Sequence, residues 1–293
     1  MNVSWPPRRA DPTIVSPFVE HGAVPTPTSP WSEFWKFRKV DSRLEPILCE
    51  KRLWFSTPND FNDPFDCQVD IDETFAAIRK QLREHLDGDF SAMVARVEQH
   101  TRATSYAYFC VCRIWHQTLM WSHYADNHRG VALGFTFGAE SPFRWADLTK
   151  GDVVYKASAL RDQMVLVNEA FGMSRQFRPG TPGLMWSEGL EIVDRFHDSL
   201  MRLYKIVRFM KAECWSYEKE FRFEATLNDP TSRGMRREFR SNDLRHVLFG
   251  VSCPESDVAR VRELLAGPEW GHLQYWRCER DAVNLVLRAV RIA

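Results

Sequence analysis

The stretch AECWSYEKEFRFEATL, residues 212–227, sets Glu218, Glu220, Arg222 and Glu224 at every second position, with Lys219, Phe221, Phe223 and Ala225 between them. Carboxylates grouped around a guanidinium could do acid–base or electrostatic chemistry. On a β-strand all four would point to one face, with neighbours about 6.6 Å apart. Two carboxylates at that separation repel by about 0.6 kcal/mol in water and about 2.5 kcal/mol at an effective dielectric near 20. Only the second figure would move a pKa by nearly two units. Burial therefore decides whether the stripe is reactive. Arg222 lies between Glu220 and Glu224 and offsets their field, whereas Glu218 has no cation beside it on its own face. On alternation alone the stripe reads as an exposed, partly self-paired strand face.

Two further segments are dense in polar groups. In NDFNDPFDC, Asn62, Asp63 and Asp66 belong to a turn-rich loop of the kind that bends backbone by local hydrogen bonds. In WSHYADNHRG, His123, Tyr124, Asp126, His128 and Arg129 crowd an expected helix end, where they could bind a ligand or partner or simply close the helix onto the next strand. Cys110 and Cys112 share a strand face, followed by His116, His123 and His128. That C-x-C spacing, without a second cysteine pair, does not match structural zinc sites, so no metal is expected. No glycine-rich phosphate loop, serine elbow or H-E-x-x-H helix is present.

The elements that must carry these residues follow from periodicity. WSEFWKFRKV reads as a strand, residues 44–49 as a short helix and 53–56 as a strand. Residues 72–103 have a helical period broken at Asp87–Asp89. YAYFCVCR is a strand, HQTLMWSHYADNHRG a helix ending at Gly130, and VALGFTF a strand. GDVVYK is a strand, and residues 159–172 and 186–213 are helical. The charged stripe is a strand, followed by strand DLRHVLFG, helix SDVARVRELL, and strands LQYWRCE and NLVLRAVRI. Helices and strands intermix without a βαβ rhythm, so the expected class is α+β, with a central, largely antiparallel sheet flanked by helices.

With 293 residues, 44% of them hydrophobic, the chain can bury a sizeable core. Residues 1–30 are rich in proline and read as a flexible tail before a single domain over 31–293. Lys plus Arg and Asp plus Glu both number 39, which argues against a protein built to coat nucleic acid or anionic lipid, though a local basic patch is compatible. Seven scattered cysteines, and no apolar run of signal-peptide or membrane-spanning length, fit a cytoplasmic protein with reduced thiols.

In order along the chain, LWFSTPNDFNDPFDC, MWSHYADNHRGVALGF and KAECWSYEKEFRF resemble the bacterial family catalogued as domain of unknown function 2971. Its hallmarks are an aromatic-Lys-aromatic-Arg strand, here Trp35–Arg38, an F-N-D-P-F-D loop, a W-x-H-Y-A-D-x-H-x-G segment and W-x-x-E-x-E-x-R, and the likeness extends over about residues 31–280. Members commonly carry Cys-aromatic-Ser where this chain has Cys110-Val111-Cys112. The order of an early Arg, a small residue on a middle strand and a late Glu-x-Glu is also similar to the layout of mono-ADP-ribosyltransferases. That resemblance implies NAD as co-substrate, Arg38 as a phosphate contact and Cys112 as a pocket wall. It makes Glu220 the catalytic carboxylate assisted by Glu218, with Trp54, Phe55 or Tyr124 against nicotinamide or adenine. It further implies a protein or nucleic-acid acceptor near Glu218, in a toxin or antiviral setting. Two other readings are a non-catalytic ligand- or partner-binding domain of the same fold and a nuclease-type defence effector. In a purely architectural reading, Asn62, Asp63 and Asp66 satisfy turn amides, and Glu220 and Arg222 are a surface pair.

Overall fold

The computed structural model describes residues 34–67, 105–144, 148–156, 158–176 and 186–292, together with Glu73, Ala76, Lys80, Ala95 and Gln99. The proline-rich tail and most of the 72–103 helical segment lie outside the described residues.

The framework is a ten-stranded sheet. Its strands are β1 (Phe34–Arg38), β2 (Arg52–Ser56), β3 (Tyr106–Cys112), β4 (Val131–Phe135), β5 (Thr149–Asp152), β6 (Glu220–Thr226), β7 (Gly234–Glu238), β8 (Leu244–Phe249), β9 (Gln274–Asp281) and β10 (Val286–Ile292). The order is β10-β9-β8-β4-β1-β3-β2-β7, with β6 also on β3 and β5 on β6. Every pairing is antiparallel except β8 with β9. Helix α5 (Glu255–Leu264) supplies the crossover that a parallel pair requires. The fold is thus α+β with a largely antiparallel sheet.

Alternation on β3 and β6 sorts the core. Phe109, Val111, Phe221 and Phe223 join Phe34, Phe55, Phe135, Phe137 and Phe143 in one buried layer, whose tightest contact is the Phe137–Phe143 stack at 4.5 Å. On the other side Trp35, Phe37, Cys112 and Trp276 pack with Met120 and Trp121 of α2 (Thr118–Tyr124). The Trp121 indole N–H donates to Trp115 O at 2.7 Å, and Phe37 meets its ring edge-on. Helices α3 (Ala159–Gln176) and α4 (Trp186–Phe209) pack on each other, with Phe196, Leu200, Leu203 and Val207 of α4 buried. Among the described residues, no helix is long and apolar enough to cross a membrane.

Four elements depart from the sequence expectation, the first being the strand read at GDVVYK, which the structure sets at Thr149–Asp152 with Val153–Lys156 outside it. Helix α2 stops at Tyr124 rather than Gly130, because Asp126, Asn127 and His128 all take positive φ (49°, 52° and 68°). Asp, Asn and His tolerate that region better than other side chains, which gives the ADNH sequence an architectural reason. Strand β7 has no counterpart in the periodicity, since GMRRE is charged rather than alternating, as suits a sheet edge. Glu218 ends a 3-10 turn (Glu213–Glu218), and left-handed Lys219 (φ 44°) separates it from β6.

The sheet is incomplete next to β3. Strand β6 pairs with one edge of β3 along its whole length. On the other edge β1 pairs only at Trp35–Cys112 and β2 only at Ser56–Tyr108. Cys110 therefore faces a gap between β1 and β2, bridged at one end by α1 (Glu45–Leu48).

Candidate functional site

A cleft of about 880 Å³ occupies this gap, within the size range of small-molecule sites. Alternation puts Trp35 and Phe37 of β1 on one face and Lys36 and Arg38 on the other, yet all four line the opening because no strand closes the sheet beside them. Cys110 and Cys112 of β3 form the back, Arg52 and Trp54 of β2 and Arg236 of β7 one rim, and Tyr124, Lys211, Glu218 and Glu220 the far wall.

The charged stripe is buried, not solvent-facing: Glu218, Glu220, Arg222 and Glu224 are 3%, 6%, 0% and 2% exposed. Two segments distant in sequence cover it. The end of α4 delivers Arg208 and then Lys211, and the F-N-D-P-F-D loop delivers Asp66 and Asn62. Arg222 donates to Glu220 from Nε (2.7 Å) and Nη2 (3.1 Å), to Asp66 from Nη2 (2.6 Å) and to the Arg208 carbonyl (3.2 Å). Lys211 Nζ sits among three carboxylates, at 2.6 Å from Glu218, 3.4 Å from Glu220 and 3.5 Å from Asp66. Tyr124 Oη donates to Glu218 at 2.6 Å and accepts from Asn62 Nδ2 at 2.9 Å. Glu224 is set apart by its ion pair with Arg208.

These partners give the two glutamates different character. Burial pushes the Glu220 carboxyl up, but the charge and hydrogen bonds of Arg222 outweigh it and hold the group down at about 2. Its oxygens accept twice from Arg222 and once from Lys211, three of the four acceptor positions of a carboxylate. Glu218 receives only Tyr124 and Lys211, so two acceptor positions stay open. Burial, reinforced by Glu220, raises its carboxyl above the usual range despite the pull of Lys211. Burial drives the Cys112 thiol to about 12, and its Sγ donates to Ile114 O, so it is a wall rather than a nucleophile. Lys36 and Arg38 are the opposite of Lys211. Neither has an ion pair among the described residues, and burial lowers the pKa of both. Lys36 Nζ donates to the Cys110 carbonyl exposed by the gap (2.8 Å), and Arg38 Nε is buried with no partner.

Of the residues singled out from sequence, Arg38, Trp54, Asn62, Asp66, Cys112, Tyr124, Glu218 and Glu220 line this one cleft, and Arg222 lies directly behind Glu220. Phe55 does not. It is 0% exposed against Phe109 and Phe143, since its neighbour Trp54 takes the cleft-facing position on β2. Asp63 serves its own loop, accepting from the Phe65 amide. His123, Asp126 and His128 are outside the lining: His123 lies by Tyr217, Asp126 pairs with Lys39 at the surface, and His128 stacks on Trp121. The surface-pair reading of Glu220 and Arg222 is overturned by their burial. Lys211 and Lys36 were not singled out beforehand. Lysines carry little pattern, and only the aromatic-Lys-aromatic-Arg motif marked one of them. Among the described residues, no group of three or more His, Cys, Asp or Glu side chains is arranged to hold a metal ion.

Residues 120–223 match the model of the family described as Protein of unknown function (DUF2971). That span holds the W-x-H-Y-A-D-x-H-x-G and W-x-x-E-x-E-x-R motifs, whereas the early strand and the F-N-D-P-F-D loop precede it. Neither the curated proteins nor the solved structures contain a match to the chain.

Proposed function

We propose that this chain, a DUF2971 protein over residues 120–223, is an NAD-consuming ADP-ribosyltransferase-like enzyme whose reacting centre is Glu218. The observation that carries the reading is that two buried carboxylates and the unpaired guanidinium of Arg38 share one cleft. Arg38 and Lys36, neither of them in an ion pair among the described residues, supply the positive charge a diphosphate needs. At the far wall a ribose hydroxyl would find the open acceptor positions of Glu218.

Little further machinery is required. The nicotinamide–ribose bond is N-glycosidic, and nicotinamide departs neutral from a cationic ring, so no general acid has to protonate it. The remaining demand is to stabilise positive charge on the ribose, which a fixed carboxylate meets electrostatically. Glu220, tied to Arg222 by two hydrogen bonds and to Lys211 by one, positions and repels Glu218 rather than touching the sugar. This moves the reacting role from Glu220, where the Glu-x-Glu resemblance put it, to Glu218. An acceptor, protein or nucleic acid, would approach by the cleft mouth, and NAD depletion would suit a toxin or antiviral effector.

The test is nicotinamide release from NAD, followed by chromatography. Glu218→Gln is expected to lower turnover about 100-fold or more while leaving NAD affinity nearly unchanged. Arg38→Ala should chiefly weaken NAD binding. Unchanged turnover in Glu218→Gln, or no NAD binding by the wild-type protein in calorimetry, refutes the proposal. One observation favours a second reading: every cleft carboxylate already has partners within the protein. A purely binding domain would hold NAD or another anion without consuming it, and Glu218→Gln would then leave all measured properties alone.

A further inference from the structure

The cleft mouth carries an aromatic surface, one of three that the ADP-ribosyltransferase resemblance offered to nicotinamide or adenine, to which the reaction at Glu218 gives no part. Trp35, Trp121, Trp270 and Trp276 are buried, but Trp54 is 45% exposed. Its indole is nonetheless backed on one side. Trp54 stands opposite Arg236 in the β2–β7 pairing, and Gly234, two residues before Arg236, lies directly beneath the ring. A Cβ on Gly234 would come within 2.6 Å of Trp54 Cζ2 and 2.9 Å of Cε2, and its φ of 155° is one that side-chain-bearing residues rarely adopt. The absent side chain lets the indole lie down on the edge strand, leaving its other surface open to the cleft.

Cations share the opening with this ring. Arg43, Arg52, Arg233 and Arg236 all line the same opening. Arg52 is shared between Glu50 and Glu238, and Arg233 pairs with Asp60. Arg43 and Arg236 have no ion pair among the described residues, so the mouth holds positive charge in excess although the whole chain is neutral. A held, half-open aromatic plane beside uncompensated guanidinium groups is complementary to a nucleotide, which offers a π-face and a phosphate a few ångströms apart.

We infer that Trp54, Arg236 and Arg43 form a nucleotide subsite at the cleft mouth, with the base on the indole and a phosphate on the arginines. Strand β3 intervenes between β2 and β6, which sets the backbones that carry Trp54 and Glu220 two strand spacings, about 10 Å, apart. A dinucleotide, two nucleosides joined through phosphate, is long enough to reach both. Two sources share this chemistry: a free nucleotide or dinucleotide, and a nucleotide within a single strand. The subsite deepens the proposed function, since it would hold either the adenylate half of NAD or the acceptor, yet its binding can be measured without turnover.

The experiment titrates the whole protein with AMP, ribose 5-phosphate and a fluorescein-labelled ten-residue oligo(dA), by calorimetry and anisotropy, with circular dichroism checking the fold. Trp54→Ala should weaken AMP and the oligonucleotide roughly 5- to 150-fold, the span of base–aromatic stacking. Trp54→Phe should recover most of that loss, and ribose 5-phosphate, which has no base, should be indifferent to both changes. Arg236→Gln should weaken all three and flatten the salt dependence. An oligonucleotide bound more tightly than AMP assigns the site to a strand, and the reverse assigns it to a free nucleotide. The inference is overturned if Trp54→Ala binds AMP and the oligonucleotide like wild type, if ribose 5-phosphate loses as much as AMP, or if the wild type binds none of them. Nicotinamide release by Glu218→Gln, measured separately, tells failure of the catalytic reading from failure of the subsite.

Discussion

Replacing Arg222 by methionine removes a guanidinium that is 0% exposed and leaves its two acid partners where they are. The buried cluster contains Asp66, Glu218 and Glu220 against Lys211 and Arg222, three formal negative charges to two positive. In Arg222→Met the balance becomes three to one, and Glu220 loses two of its three donor bonds. Breaking a buried ion pair on one side costs about 3–5 kcal/mol, mostly the penalty of stranding the remaining charge. That mechanism makes a second demand. Arg222→Met/Glu220→Gln restores the wild-type charge balance and should regain at least about 1–2 kcal/mol, so the double variant is more stable than the single one. Arg222→Lys should recover only part, because an ammonium cannot bond Glu220 twice and Asp66 once from a planar fork. Urea unfolding followed by tryptophan fluorescence reads all of these. A single variant within about 0.5 kcal/mol of wild type, or a double variant less stable than the single, would refute the argument that Arg222 is held by charge compensation.

Acid should reveal Glu220 in the same way. Its carboxyl is depressed to about 2 in the folded protein, so its contribution is present at neutral pH and is lost as pH falls from the ordinary carboxylate range towards 2. Unfolding free energy of Glu220→Gln, measured across that window, should depend less steeply on pH than wild type. Gly130→Ala places a Cβ 2.2 Å from the Arg38 carbonyl and 3.0 Å from that of Ala125, both backbone, so β1 must move. About 1–3 kcal/mol of stability should be lost, and anion affinity with it, since Arg38 is the residue displaced; calorimetry with ADP checks this. At the exposed left-handed Asn127, valine should cost about 1–2 kcal/mol, and glycine should be neutral or stabilising, read by thermal melts.

The amino-acid order alone determined a good deal. Alternation along β1 and β6 and the apolar runs of β3 and β4 specified strands, because both patterns are local in the chain. Intermixed helices without a βαβ rhythm specified the α+β class, and the motifs drew together Arg38, Trp54, Cys112, Tyr124 and Glu220, which line one cleft. Alternation also read β6 as half wet, and there it failed. Period tells which side chains share a face but not what covers that face, and the cover came from Lys211 and Asp66, over 140 residues apart. The same limit hid β7, an edge strand whose charges follow no core, and the gap beside Cys110, which exists because β1 and β2 each pair with β3 at a single position. Burial of the stripe, the different occupancy of Glu218 and Glu220, and the unpaired state of Lys36 and Arg38 are properties of long-range contacts. Solvation and charge compensation depend on which groups meet in space, and only the tertiary structure decides that.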